Sequence, residues 1–419
     1  MKFSLNVVTL MMLSFSSQGW TSEVPNLRMS LEDLLETRVT VASLREETRR
    51  EAPSVMTVLN RNQIETFGAR NLIELIDRLP SMQIVGHVGF YGNKTNIRAQ
   101  PVSSQDRHSL ILLNGRPVRE NINGGNNAYF YHGFPIEAIE SIEVIRGPGS
   151  VLYGTNAFAA VINIKTRKSE TNEWMAKTTY GSYDTKSGDL MIMGHSESNL
   201  DYLISARRAR SDGPNIEYTD VLGTTDSLKF KDDSDAVYLN AENDRFSLQG
   251  AYHHYSPGEY GVLGRHLNDV YIKEVKTFFS DVGLTHTAND STTLQLNMTL
   301  NTFSWEGITS TGEQYERRKS NNIIVEPLVK YNPSPDLFLL AGATAEFDVF
   351  GGPELLGKSQ FIHSLYTQGD YKALDGIKIV LGLQYNKVEN LDGNLSPRFG
   401  FIFTPHKNWG AKLLYSEAF

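Results

Sequence analysis

The chain has 419 residues, no cysteine and a formal net charge of −8. The modest acidic excess argues against nucleic acid or another polyanion as partner, and the lack of cysteine excludes disulfides and zinc–thiolate sites. At the amino terminus Lys2 precedes an apolar run over 5–15, and Ser17-Gln18-Gly19 offers small residues where a signal peptidase reads. That run is about half of the roughly 20 residues a bilayer-spanning helix needs, so it predicts a cleaved signal peptide over 1–22 and export, not an anchor. Every later apolar cluster is broken within a few residues by Asp, Asn, Lys, Ser or Thr. This excludes a helical-bundle membrane protein but not a transmembrane barrel, whose lipid face hides in alternate residues.

From Ser30 to Thr166 the rhythm is that of a small mixed α+β domain. Ser30 caps a short helix predicted over 31–35. The segment 38–43 alternates and is β-prone, and the charged stretch over 45–51 that follows reads as mobile. A longer helix is predicted over 64–79: Ile64, Phe67, Leu72, Ile73, Leu75, Ile76 and Leu79 make one apolar stripe, and Pro80 stops it. Strands are expected over 55–59, 82–85, 95–98 and 109–113, the last followed by an Asn114-Gly115 turn. Two more, over 141–145 and 160–166, flank a tight bend that the chemistry of Gly147-Pro148-Gly149 makes inexpensive.

After about residue 173 the helical rhythm stops. Short strands recur, about 13 of them, joined alternately by tight turns (243–244, 289–290, 332–336, 373–376, 404–408) and by longer polar loops (211–235, 256–275, 304–321, 351–359, 388–396). Leu294, Leu296, Met298 and Leu300 face one way, and Thr293, Gln295, Asn297, Thr299 and Asn301 the other, as a wall between lipid and water requires. Aromatics near strand ends read as an interfacial girdle: Trp174, Tyr180, Tyr202, Tyr238, Tyr252, Tyr255, Phe278, Phe279, Tyr331, Tyr371, Tyr385 and Trp409. The bland reading, that aromatics are good strand formers, holds for each alone.

The run over 136–166 carries the most specific signal. Its Arg146-Gly147-Pro148-Gly149-Ser150 turn, the Leu152-Tyr153-Gly154 that follows and the strand ending in Ile162-Asn163-Ile164 closely resemble the end of the plug domain of TonB-dependent outer-membrane receptors. The resemblance implies a TonB-box segment and linker over 23–51, a small α+β plug over 52–168 and an antiparallel transmembrane β-barrel from 173 to 419. Family barrels have 22 strands, and an odd open set of about 13 cannot close as a bacterial barrel does. The expectation is therefore a barrel that stops partway, from a fragment or a shortened gene product. Ala99, Ala160 and Asn114 stand where the family more often has Gly, Gly and Asp, which touches loop geometry and not the assignment.

The same resemblance implies the sites. A TonB box at Val39, Thr40, Val41, Ala42 and Ser43 would add a strand to TonB, which ExbB and ExbD energise; the rival reading is a first plug strand. Arg98 and Arg146 match plug arginines that pair with wall glutamates, and Glu417 is the candidate partner. Phe90, Tyr91, Tyr129, Phe130 and Tyr131 are expected to meet the ligand from plug apices. His132, His253 and His254 read as surface histidines, because neighbours on a strand point to opposite faces and cannot share one metal. No catalytic constellation appears, and neither metal nor cofactor is implied. The function expected is uptake of a scarce ligand across the outer membrane, an iron–siderophore before cobalamin, haem or an oligosaccharide. A secreted β-rich binding protein and a nonfunctional truncated receptor remain the rivals.

Overall fold

The computed structural model describes residues 36–87, 90–98, 106–122, 124–125, 128–219, 223–257, 270–309, 312–353, 357–406 and 409–418. The expected signal peptide and the helix over 31–35 lie outside them. Strands β1 (Arg38–Val39) and β2 (Glu47–Thr48) pair antiparallel, so the stretch expected to be mobile folds back on the segment before it. Strand β3 (Met56–Asn60) leads into α1 (Arg61–Phe67), whose capping box joins Asn60 and Gln63.

The single helix expected over 64–79 is two. Gly68, at φ +57°, ends α1 in the left-handed conformation, and Asn71 caps α2 (Leu72–Ile76) by accepting from the Glu74 amide. The apolar stripe is real, and Ile64, Leu72, Leu75, Ile76 and Leu79 are all buried. Periodicity alone does not register a break when both halves bury the same side.

A hairpin of β4 (Met82–His87) and β5 (Phe90–Ile97) follows, then β6 (Ser109–Leu113) and β7 (Arg116–Val118). Asn114 and Gly115, at φ +46° and +80°, make the turn between β6 and β7. Helix α3 (Ala128–Gly133), β8 (Ile139–Arg146), α4 (Ser150–Tyr153) and β9 (Ala160–Thr166) complete the domain. Its sheet has the order β3-β8-β9-β6-β7, with β6 and β9 parallel and the other pairs antiparallel. All residues of β6 are buried, as in a strand covered on both faces.

The rest is one antiparallel meander of 13 strands. It runs through β10 (Glu173–Gly181), β11 (Thr185–His195) and β12 (Asp201–Ser211), where a side hairpin of β13 (Asn215–Thr219) and β14 (Thr225–Lys229) branches off. The meander resumes with β15 (Asp232–Glu242), β16 (Phe246–Pro257), β17 (Val270–Asn289), β18 (Thr292–Thr309) and β19 (Gln314–Ser334). It ends with β20 (Leu337–Gly351), β21 (Ser359–Leu374), β22 (Ile377–Val388), β23 (Asn394–His406) and β24 (Trp409–Ser416). Strands β10 and β24 are its edges and do not pair with each other among the described residues.

The loop expected over 304–321 is mostly strand: β18 reaches Thr309 and β19 starts at Gln314. Here the ladder continues past the apolar belt, where outward side chains become polar and hydropathy loses the strand.

The sheet is inside-out relative to a soluble protein. Its exposed side carries Leu190, Ile192, Ile204, Val237, Leu239, Leu284, Leu294, Leu296, Met298, Leu365 and Leu381. Its buried side carries Asp189, Ser205, Asn240, Gln249, Asp281, Thr299, Asn301, Asn322, Glu346, Asp348, Gln368 and Asp370. The small domain sits against that polar side, so it plugs the concavity. Most girdle aromatics are exposed, among them Trp174, Tyr180, Tyr252, Phe278, Tyr331, Tyr371, Tyr385 and Trp409. Tyr238, Tyr255 and Phe279 are instead buried on the plug side, because their strand parity turns them inward.

Candidate functional site

Plug and wall meet through polar joints that position the amino-terminal segment. The turn at Asn114 and Gly115 delivers Arg116 to the wall. Its Nε lies 3.0 Å from Asp281 Oδ2, its Nη2 donates to Thr299 Oγ1 at 3.1 Å, and its Nη1 donates to Glu326. Tyr366 Oη donates to the other Glu326 oxygen at 2.6 Å. Burial alone would make the guanidinium easier to deprotonate, but Glu326 and Asp281 more than offset this, and its pKa is raised. Farther along, Asn121 Nδ2 donates to Glu346 (3.0 Å) and Asp348 (2.7 Å).

On the opposite side the wall presents cations to the first plug residues. Arg398 donates to Ala42 O (3.0 Å), Pro53 O (2.8 Å) and Ser54 Oγ (3.0 Å). Lys412 Nζ reaches Arg49 O and Ala52 O at 2.9 and 2.7 Å. Lys378 Nζ lies 2.5 Å from Glu47 Oε2 and 2.9 Å from Asp370. These contacts hold the stretch that its charge predicts to be mobile: the charges have partners across the chain. Between the two sets lies a cavity of about 480 Å³ bounded by Thr40, Arg45, Arg116, Tyr153, Glu326 and Gln384.

Of the expected box, Val39, Val41, Ala42 and Ser43 are buried. The amides of Thr40 and Val41 donate to Glu143 Oε2 at 3.2 and 3.1 Å, Tyr153 Oη donates to Val41 O at 2.8 Å, and Ser43 Oγ donates to Glu47 Oε1 at 2.5 Å. The segment is docked here.

The structure places Arg98 near Arg146 but pairs neither of them with Glu417. Arg146 Nη1 donates to Pro80 O at 3.3 Å and Ser81 Oγ at 3.5 Å, and Glu417 accepts from Tyr415. Neither arginine has a carboxylate partner among the described residues. Burial, then the nearby charges of Arg98 and Arg49, lowers the Arg146 pKa. Arg116 takes the role expected of this pair in the described structure. The signal that could have found it is its place just after a turn that points at the wall.

Phe130 and Tyr131 are corrected too. Both are buried, Phe130 against Phe134 with ring centroids 5.2 Å apart and Tyr131 with its hydroxyl 3.1 Å from Thr95 Oγ1, because α3 turns that face into the plug core. Phe90 and Tyr91 open β5 and Tyr129 lies in α3; their side chains lie outside the described ones. His132 and His253 are not surface histidines. His132 stacks on Tyr255 at 4.5 Å with its Nδ1 3.5 Å from Asp232, and His253 is buried beside Gly133. His254 points away, 3.6 Å from Asp235 and 3.3 Å from Glu274.

The fit at Gly133 is close enough to test. A Cβ there would lie 1.7 Å from the His253 ring. Gly133→Ala is expected to lower stability by about 1–3 kcal/mol, read in a denaturant melt, and Gly133→Ala with His253→Ala should recover part of it. A second joint predicts pH dependence. Glu137 binds Arg61 Nη2 and Lys177 Nζ, each at 2.7 Å. Burial raises its pKa, but the Lys177 hydrogen bond and the Arg61 charge outweigh that and leave it below the usual carboxylate range. The ionised form is favoured in the fold. Its stabilisation is thus present above the unfolded pKa of about 4.3 and disappears as pH falls through the lower folded value. Thermal melts between neutral pH and acid should show a loss below about pH 4 that is smaller in Glu137→Gln.

Residues 48–161 match the TonB-dependent receptor plug domain, and residues 157–419 match the TonB-dependent receptor-like β-barrel. The chain belongs to the TonB-dependent receptor family, a family of outer-membrane transport receptors. It is 29% identical over 198 residues to the iron-regulated outer membrane virulence protein of Vibrio cholerae serotype O1, covering 44% of this chain and 29% of that protein. It is 28% identical over 225 residues to the vitamin B12 transporter BtuB of Vibrio vulnificus, covering 51% and 34%. Among solved structures, the FpvAI–pyocin S2 complex aligns with a TM-score of 0.68 at 15% identity, covering 90% of this chain and 57% of that one. A variant of the ferric enterobactin receptor PfeA of Pseudomonas aeruginosa aligns with a TM-score of 0.68 at 15% identity, covering 88% and 62%. The chain spans about three fifths of these solved receptors and about a third of the curated relatives.

Proposed function

We propose that this chain serves TonB-dependent uptake of an iron–siderophore complex across the outer membrane, reached by signal-directed export. The observation that carries this reading is the inside-out sheet filled by a plug: apolar side chains outside, hydrogen-bonding side chains inside, and a folded stopper on the polar face. A secreted binding protein has no use for an apolar exterior on most of its strands. In this reading Val39, Thr40, Val41, Ala42 and Ser43 are the segment that TonB, driven by ExbB and ExbD, captures once it leaves Glu143 and Arg398. In this reading Arg98 and Arg146 belong with Arg116 to the plug side of the plug–wall latch.

The siderophore assignment draws on the solved siderophore receptors that share the fold. Vitamin B12 is the second cargo, favoured by the BtuB relatives. A deletion strain supplied with single ferric siderophores, vitamin B12 or haem tests the reading, with and without functional TonB. Uptake of one ligand lost on deletion and restored by the gene is the expected result; unchanged uptake of all of them defeats it. Recovery from the soluble periplasm rather than the detergent-requiring outer membrane would defeat the location as well.

A further inference from the structure

The chain has two Asn-Gly pairs, Asn114-Gly115 and Asn123-Gly124. Such a pair loses its side-chain amide readily, because glycine offers its main-chain nitrogen with no side chain in the way. Asn114-Gly115 is the turn between β6 and β7, with both residues in the left-handed region at φ +46° and +80°.

Each atom that would have to move is held. Asn114 Oδ1 accepts from the Thr166 amide at 2.9 Å, and the Nδ2 hydrogens face Thr166 Oγ1 (3.0 Å), Tyr238 Oη (3.0 Å) and Gln249 Oε1 (3.2 Å). The Gly115 amide donates to Asn163 Oδ1 at 2.8 Å. Asn163 and Thr166 belong to the plug, whereas Tyr238 and Gln249 are wall residues on β15 and β16. Gln249 Nε2 also donates to Leu113 O at 3.2 Å, which fixes the direction of its Oε1. All four partner side chains are buried. Asn114 and Gly115 border the cavity of about 480 Å³, so space for water exists, and the restraint lies in the pinned side chain rather than in access.

The geometry points to Asn114-Gly115 as a deamidation site that docking of the plug keeps closed. In the reaction the Gly115 nitrogen gives up its proton and bonds to Asn114 Cγ, the Cγ–Nδ2 bond breaks, and Nδ2 leaves as ammonia carrying one added proton. Water then opens the cyclic imide: cleavage at Cγ gives aspartate, and cleavage at the main-chain carbonyl gives isoaspartate. Nothing is oxidised or reduced. In the docked turn Asn163 Oδ1 is a neutral acceptor that does not take the Gly115 proton, and turning Cγ toward that nitrogen breaks the bonds to Thr166, Tyr238 and Gln249. A plug drawn off the wall loses the Tyr238 and Gln249 contacts outright. The product does not reseat, because the new carboxylate has no hydrogen to give Gln249 Oε1 and isoaspartate lengthens the main chain of the turn. Deamidation here therefore marks chains whose plug has left the wall.

The test incubates the full-length chain, either folded in detergent micelles or kept unfolded in urea, in mildly alkaline buffer made with heavy-oxygen water. Peptide mass spectrometry reads the exchange of amide for labelled acid at Asn114. Conversion in the folded chain should be at least about tenfold slower than in urea, since it requires a local opening. In urea Asn114 and Asn123 should convert at similar rates. Tyr238→Phe combined with Gln249→Ala, checked as folded by the protease resistance of its wall strands, should speed conversion in the folded state several-fold. Equal rates in folded and unfolded wild type would overturn the proposal. So would a folded double variant as slow as wild type, which would leave the restraint to Asn163 and Thr166 and give docking no part in it. Asn114→Asp, one of the two products, should lower the midpoint of a denaturant melt; an unchanged midpoint would show that the acid reseats and would overturn the marking role.

Discussion

Arg116→Ala is expected to lower the stability of the plug–wall assembly by about 3–5 kcal/mol. The reason is what remains. Asp281 and Glu326 lie on the buried side of the wall, and truncation leaves two carboxylates facing each other's field with no cation between them. Thr299 Oγ1 and Tyr366 Oη still donate to them, at 2.6 Å each, but neutral hydroxyls do not balance charge. Arg116→Lys should recover only part, because one ammonium cannot reach both acids and Thr299 as the planar guanidinium does. Arg116→Ala combined with Asp281→Asn and Glu326→Gln should recover more than either half. Denaturant unfolding followed by tryptophan fluorescence measures the series. A single variant within about 0.5 kcal/mol of wild type would show that the joint is not a structural anchor.

Arg398→Ala is expected to free the amino-terminal segment without unfolding the wall. The guanidinium spans residues 42 to 54, donating to two main-chain carbonyls and one hydroxyl of the plug, and it also donates to Gln368 at 3.0 Å. Each buried carbonyl left without its donor costs about 1–3 kcal/mol, so the docked segment should become locally unstable. Trypsin provides the readout, since Arg45, Arg49 and Arg50 lie in the stretch that would be released. Wild-type protein should resist cleavage there, and Arg398→Ala should be cut at these sites while β15 to β22 stay protected. Lys412→Ala, which also removes donors to Arg49 O and Ala52 O, should act in the same direction. Resistance equal to wild type in the double variant would mean that Glu143 and Tyr153 hold the segment unaided.

Much of the architecture is legible from local pattern, and the exceptions have local causes. Alternation in 293–301 reports its two faces because a strand's side chains must alternate, and burial follows that parity residue by residue. The same parity misplaces Tyr238, Tyr255 and Phe279 when aromatics are counted by proximity to strand ends rather than by which side they fall on. The helix over 64–79 fails where Gly68 breaks it, since a stripe of apolar residues constrains direction and not continuity. The joints were hardest to foresee. Arg398 and Arg116 lie far along the chain from Ala42 and Glu326, and nothing in the spacing of residues separated by that distance states which will meet.

What this sequence determines by itself is its class: a turn-rich plug signature over 136–166, then strands whose rhythm separates lipid from water. Those features depend on neighbours within a few residues, where backbone geometry and side-chain period act directly. Only the tertiary structure decided that residues 39–43 are docked, that Arg116 rather than Arg98 or Arg146 meets wall carboxylates among the described residues, and that Phe130 and Tyr131 are core. A buried charge takes whichever opposite charge the closed fold brings within hydrogen-bond reach, and that choice is made by packing across hundreds of residues.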